Sequence, residues 1–210
     1  MRTIHKGNPP QEFLTWIRNH PHGVYSDLDK TSEGREVRRA IRCAAIVEQH
    51  CLCAYCCTRI DGSTSHNEHI AAQSMAPNHT VDFTNIVASC NSRNQCGDAH
   101  GNQMLPLTPL DPACETELRF FISGAVQGMT TNATETIRVL NLNGRSPCGV
   151  RKSMVDALIY GAGESPTGLS LLDDDLLGIL ANELKQVDVD GCLLPYAPIL
   201  SNIIHQLLTA

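Results

Sequence analysis

The sequence predicts an α+β protein, mostly helical, built around a compact metal-stabilised core. Three observations predict this class. Apolar residues recur at helical spacing over both flanks of the chain. Two cysteine pairs, Cys53-x2-Cys56 and Cys90-x5-Cys96, bracket a run rich in imidazole, carboxylate and carboxamide groups. Between the pairs, residues 65–70 and 85–89 read as short strands, and a short helix should begin after Cys96. The expected organisation is N-terminal helices over residues 1–50 and the metal core over 51–105. A hairpin and helices packing on that core follow over 106–160, and a C-terminal helical extension over 161–210.

Asn8-Pro9-Pro10-Gln11-Glu12 reads as a helix start, with Asn8 as N-cap, Pro9 at the first helical position and Gln11 completing a capping box. Phe13, Leu14, Trp16 and Ile17 supply its apolar side, with Trp16 as a core anchor rather than a stacking platform for a base. His20-Pro21 ends it. A second helix spans about residues 33–50 behind a Thr31 or Ser32 cap, with Val37, Ile41, Ala44 and Ala45 facing the core. Arg35, Arg38, Arg39 and Arg42 share its opposite face. They form either a solvated helix surface or a comb for nucleic-acid phosphates or an acidic partner.

After the metal core, Pro-punctuated residues 105–112 lead to a short helix that Asp111 can cap. Residues 120–126 read as a hairpin turning at Ser123-Gly124. Thr131 or Asn132 caps a helix to about residue 140, with Ile137 and Leu140 inward. The helix over 147–160 should carry Val150, Met154, Val155 and Leu158 inward and Arg151-Lys152 outward. Residues 161–166 are the best linker candidate. A helix over 170–187 begins on Asp173-Asp174-Asp175, read as charges at the positive dipole end rather than as a metal site. Residues 196–208 form a last helix with a broad apolar face of Ile199, Leu200, Ile203, Ile204, Leu207 and Leu208.

Composition narrows the function classes. No apolar run approaches the ~20 residues a membrane helix needs, and the first residues lack a signal-peptide core, so a cytoplasmic protein is expected. In that setting clustered cysteines read as metal ligands rather than disulfides. The charge balance is 16 Lys+Arg against 22 Asp+Glu, formally −6. A protein gripping nucleic acid unaided should be basic. Either the basic groups are concentrated locally or a partner supplies most of the grip.

Cys53, Cys56, Cys90 and Cys96 can close a tetrahedral shell, the signature of structural Zn²⁺. Cys43, Cys114, Cys148 and Cys192 stand singly and are expected as small buried hydrophobes. Cys51 and Cys57 flank the first pair, and either could replace a favoured ligand.

Several stretches carry a family resemblance: Cys53-Ala54-Tyr55-Cys56, His66-Asn67-Glu68-His69-Ile70, Asn85-Ile86-Val87-Ala88-Ser89-Cys90 and Cys96-Gly97-Asp98-Ala99. Here the chain resembles the HNH endonucleases, whose fold is the ββα-metal finger. With Met1-Arg2-Thr3-Ile4-His5-Lys6 and Thr136-Ile137-Arg138-Val139-Leu140-Asn141-Leu142-Asn143 included, it looks like the PtuB-type zinc-knuckle HNH nucleases of Septu and retron-associated anti-phage systems. The likeness covers most of residues 1–160.

The resemblance implies His69 as general base and Glu68 as ligand to a catalytic Mg²⁺ or Mn²⁺. It implies Asn85 as the residue that fixes the loop orienting His69. Many zinc-containing relatives place His directly after the last Cys, where this chain has Gly97. His100, one helical turn on, is the favoured further ligand, with Asp98 and Asn94 as rivals. His66 lies two residues before Glu68 and shares its strand face, opposite His69. It could touch metal or phosphate or make only a local hydrogen bond. Ala72 stands where many relatives have Pro. The implied partners are a PtuA-like ATPase, nucleic acid (DNA ahead of RNA), and a retron reverse transcriptase with its non-coding RNA and msDNA. The function so implied is metal-dependent phosphodiester hydrolysis as a defence effector. A non-catalytic zinc adaptor and an RNA-cleaving toxin are the alternatives.

Overall fold

The computed structural model describes residues 1–161 and 174–209. Its elements are helices α1 (Gln11–Asn19), α2 (Ser32–Glu48), α3 (Gly97–His100), α4 (Thr131–Val139), α5 (Arg145–Gly161), α6 (Asp174–Glu183) and α7 (Ala197–Leu208). Four short strands accompany them: β1 (Ser65–His69), β2 (Ile86–Cys90), β3 (Leu118–Phe120) and β4 (Val126–Gly128). The described residues form a mixed α+β fold with two small antiparallel sheets, β1-β2 and β3-β4. No helix among the described residues is long and apolar enough to cross a membrane.

The N-terminal helices form a satellite core of their own. Phe13 and Trp16 from α1 and Val37 and Ile41 from α2 pack with Tyr25, Leu28, Phe83 and Ile86. The expected start of α1 is corrected. Pro10 rather than Asn8 occupies the N-cap, with extended backbone and no side-chain cap. Pro10 disfavours helical geometry at the residue before it, so Pro9 cannot take the first helical position. The cap of α2 is Thr31, whose hydroxyl accepts from Gly34 N at 3.0 Å.

The larger core joins the four-cysteine cluster to the C-terminal half. Leu105, Leu118, Phe120, Val139, Leu140, Val155, Ile159, Ile199 and Ile204 belong to it together with Cys53, Cys56, Cys90 and Cys96. The β3-β4 pair has Phe120 opposite Val126, so the expected hairpin exists with a wider turn and its first strand begins earlier. Gly124 turns it at φ 82°, and a Cβ there would lie 2.2 Å from Cys148 O.

Two side-chain orientations in α5 differ from expectation. Arg151 is 2 % exposed, while Val150 is 43 % exposed. The inward stripe is Arg151, Val155 and Ile159, rotated by one residue. Arg151 is drawn in because its guanidinium donates from Nε to Gly124 O at 2.7 Å and from a terminal nitrogen to Leu142 O at 2.6 Å. Those carbonyls would otherwise be left unpaired in the core.

Cys192 is not a lone hydrophobe: it is disulfide-bonded to Cys51, with Cα atoms 5.2 Å apart. Left-handed residues His50 (φ 50°) and Cys51 (φ 61°) turn the chain to meet it, and Leu193 N donates to His50 O at 3.1 Å. Of the other singletons Cys114 is buried, Cys43 is exposed and Cys148 is half-buried. The linker candidate at 161–166 and Asp173 lie outside the described residues, except for Gly161, which ends α5. In α7, Ile199, Leu200, Ile203 and Ile204 are buried as their spacing demands.

Candidate functional site

The four favoured cysteines converge. Their Sγ atoms all lie within 4.8 Å of one another and all four residues are buried. Cys56 Sγ stands 3.9 Å from Cys90 Sγ. An ion with Zn–S bonds of ~2.3 Å has a tetrahedral edge of roughly 3.8 Å, so the spacing fits a metal ion such as zinc. Local backbone geometry aims the thiols. Cys53 N donates to Thr58 O at 2.8 Å and Cys57 N to Cys53 O at 3.1 Å, which curls the first pair around one point. Cys57 takes the left-handed conformation (φ 61°) that closes this knuckle, and Cys51 is held in the disulfide, so neither flanking cysteine displaces a ligand. Cys96 is also strained, at φ 54°. Crowding shows in the thiols themselves. Contacts from Cys53, Cys56 and Cys96 pull the Cys90 thiol far below its ordinary range, while the same cluster pushes Cys56 and Cys96 up.

The second half of the site is built on the β1-β2 ladder, in which Glu68 pairs with Val87 and His69 with Ile86. Strand alternation sends His66 and Glu68 to one face and Asn67 and His69 to the other. On the first face α3 brings His100 in. Its Nδ1 lies 2.6 Å from Glu68 Oε1 and its Nε2 2.8 Å from Gln103 O, with the ring fully buried. His66 Nε2 is 3.4 Å from Glu68 Oε2, and Tyr55 OH reaches Glu68 Oε1 at 3.5 Å. Burial alone would raise the Glu68 carboxyl, but His100 and His66 outweigh it and hold the group below the usual carboxylate range. The Glu68 hydrogen bond raises His66. With a carboxylate at one nitrogen and a carbonyl at the other, the buried His100 ring is locked in place against Glu68.

The rivals for that position point elsewhere. Asp98 Oδ2 accepts from Asn94 N at 2.6 Å, so this pair caps the loop before α3. Gly97 lies against the cleft: a Cβ there would sit 2.6 Å from His66 Nε2 and 2.8 Å from Glu68 Oε2.

On the opposite face His69 Nε2 meets Thr80 O at 2.8 Å, and the ring packs edge-on against Tyr25 with centroids 4.6 Å apart. His69 is 6 % exposed. Burial is the main force lowering its imidazole pKa, and the Arg38 charge adds to that effect. Asn85 sews the following loop shut. Its Oδ1 accepts from Ala71 N at 2.8 Å, and its Nδ2 donates to Ala71 O at 3.0 Å and to His79 O at 3.3 Å. Ala72, buried, begins the next turn, with Met75 N donating to its carbonyl at 2.9 Å.

The arginine stripe is only partly free. Arg38 lies over the Tyr25 ring at 5.0 Å and is ion-paired with Asp29. Arg35 donates to Asp29 O at 3.1 Å, and Arg42 to Gly62 O at 2.8 Å. Arg39 pairs with Glu36 at 3.0 Å. Tyr25, Tyr55, Gln103 and Asn91, whose Oδ1 lies 3.0 Å from His66 Nδ1, escape a sequence reading of this site. Tyr55, inside the Cys53–Cys56 pair, is the one whose position could have flagged it. Among known proteins, no family model and no curated protein matches the chain.

Proposed function

We propose that the chain is a metal-dependent HNH-type endonuclease that hydrolyses phosphodiester bonds in DNA, working as effector of an ATPase-linked anti-phage complex. The observation that carries this reading is the Asn85 staple. A carboxamide that bonds both backbone groups of Ala71, two residues beyond His69, holds the strand end and loop in one register. The acceptor Thr80 O makes Nε2 the protonated nitrogen of His69 and leaves Nδ1 with its lone pair. Because burial keeps this imidazole neutral, Nδ1 can take a proton from a water attacking phosphorus. Glu68 and His100 would hold a divalent cation, which when bound stabilises charge on the phosphate and on the departing oxygen. The four cysteines would hold structural zinc, keeping β2 and α3 in place. Arg38, whose charge reaches His69, and the exposed Arg35 and Arg39 are the groups of the stripe best situated to meet a phosphate backbone.

The non-catalytic zinc adaptor is the second reading, favoured by the near-complete burial of His69. Wild type and His69→Ala, each with the candidate ATPase, separate the two on duplex DNA, single-stranded DNA and tRNA with Mg²⁺ or Mn²⁺. Cleavage of DNA by wild type and its loss in the variant are expected. Equal activity of the two proteins refutes the catalytic role, inactivity of both supports the adaptor, and cleavage confined to tRNA reassigns the substrate. Zinc content is checked in parallel: one ion per chain in wild type, lost with folding in Cys56→Ser.

A further inference from the structure

We propose that His66 is a third protein ligand of the Glu68 cation, and that the site therefore selects a transition ion such as Mn²⁺, Co²⁺ or Ni²⁺ over Mg²⁺. This rests on the reading that Glu68 holds a cation, and it adds both a ligand and a chemical preference to that reading. His66 and His100 stand at opposite oxygens of one carboxylate: Nε2 of the first is 3.4 Å from Oε2, and Nδ1 of the second is 2.6 Å from Oε1. Each imidazole has its other nitrogen tied to an oxygen acceptor. His66 Nδ1 meets Asn91 Oδ1 at 3.0 Å, and His100 Nε2 meets Gln103 O at 2.8 Å. An oxygen acceptor behind each ring fixes its orientation, the second-sphere pattern of metal-bound histidines, and an incoming cation would replace the near N–H protons that now meet Glu68.

Gly97 keeps that space clear, since any side chain there would meet His66 Nε2 and Glu68 Oε2 within 3 Å. The His66 side chain, 34 % exposed, lies at the solvent side and can close on an incoming ion, whereas that of His100 is sealed beneath. The donor set decides the metal. Two imidazoles and one carboxylate match borderline transition ions, while Mg²⁺ prefers oxygen ligands and retained water. The nearest further carboxylate on α3, Asp98, is spent on the Asn94 amide.

The test uses zinc-loaded full-length protein, so that the thiolate site is filled, and titrates Co²⁺ and Mg²⁺ by calorimetry, with visible absorption for Co²⁺. One Co²⁺ site without sulfur charge-transfer bands is expected, with Mg²⁺ at least ~100-fold weaker. His66→Ala should weaken Co²⁺ at least ~10-fold while retaining one zinc and the wild-type melting temperature. Glu68→Gln should abolish Co²⁺ binding. Loss in Glu68→Gln with none in His66→Ala, or equal affinity for Mg²⁺ and Co²⁺, overturns the proposal and leaves the Glu68 cation standing. Failure of wild type to bind either ion removes both.

Discussion

Gly97→Ala is the sharpest perturbation of the cleft, because the added atom has one place to go. Gly97 has no left-handed backbone requirement, so the substitution acts through space alone. The new Cβ would stand 2.6 Å from His66 Nε2, 2.8 Å from Glu68 Oε2 and 3.0 Å from Glu68 Cδ. Ordinary contact requires these neighbours to withdraw by about 0.6–0.8 Å. His66 can swing toward solvent. Glu68 cannot do so freely, since His100 and Tyr55 hold its other oxygen. Overpacking of this kind costs about 1–3 kcal/mol, or roughly 2–12 °C in melting temperature for a chain of this size. A displaced carboxylate should also lower the proposed cleavage rate by about 100-fold, the usual result of a misplacement near 1 Å. Differential scanning calorimetry and a plasmid-nicking assay read the two effects, and zinc content serves as control because Cys96 is the adjacent residue. A Gly97→Ala variant with wild-type melting, wild-type zinc and wild-type cleavage would refute the wedge drawn between α3 and β1.

Other outcomes follow from the same contacts. Burial holds the His69 imidazole below its ordinary 6.5, so the acid limb of the pH–rate profile should lie below pH 6.5; a limb above it excludes His69 as the base. The sign for stability agrees, since a depressed histidine contributes stability fully present above 6.5 and lost as pH falls through the folded value. For Glu68, also depressed, the metal-free protein should lose stability as pH drops below about 4.5, visible in acid titration followed by circular dichroism. Arg151→Ala leaves Gly124 O and Leu142 O without their donors. It should cost about 2–4 kcal/mol in urea unfolding, and a loss under 0.5 kcal/mol would place those carbonyls in contact with water. Cys192→Ser opens a 141-residue loop, worth at most about 5 kcal/mol by chain entropy. The hydrogen bonds from Leu193 N to His50 O and from Tyr196 N to Cys57 O and the Arg59–Asp188 pair should keep the tail docked nonetheless, which protease resistance of α7 would report.

The parts of the site legible in the sequence are those set by short-range geometry. Cys53 and Cys56 are ligand-spaced whatever surrounds them, and strand alternation separates Glu68 from His69 without reference to the rest of the fold. Arg151 is illegible because its reason for burial lies in carbonyls 9 and 27 residues away. Helical periodicity assigns a guanidinium to water when it cannot see an unpaired acceptor. The same holds for Cys192, whose partner lies on the far side of the chain. The Asn8 cap fails on a local rule, since Pro10 overrides its neighbour. Helical spacing puts the four arginines in one stripe. How much of that stripe is spent depends on Asp29 and Gly62, which sequence spacing does not bring to it.

Five consecutive residues, Cys96 to His100, hold a thiol of the closed cluster at one end and an imidazole against Glu68 at the other, with Gly97 between them against the cleft. A helix this short has no independent stability. Its placement depends on the Cys96 backbone, which the thiolate cluster anchors. If the cysteines hold zinc and the cleft is catalytic as proposed, stripping the ion should therefore disarm the cleft without any change to its own side chains. Under the proposed function, metal supply would then act as a licence: a freshly made chain would stay inert until its cysteines had captured their ion.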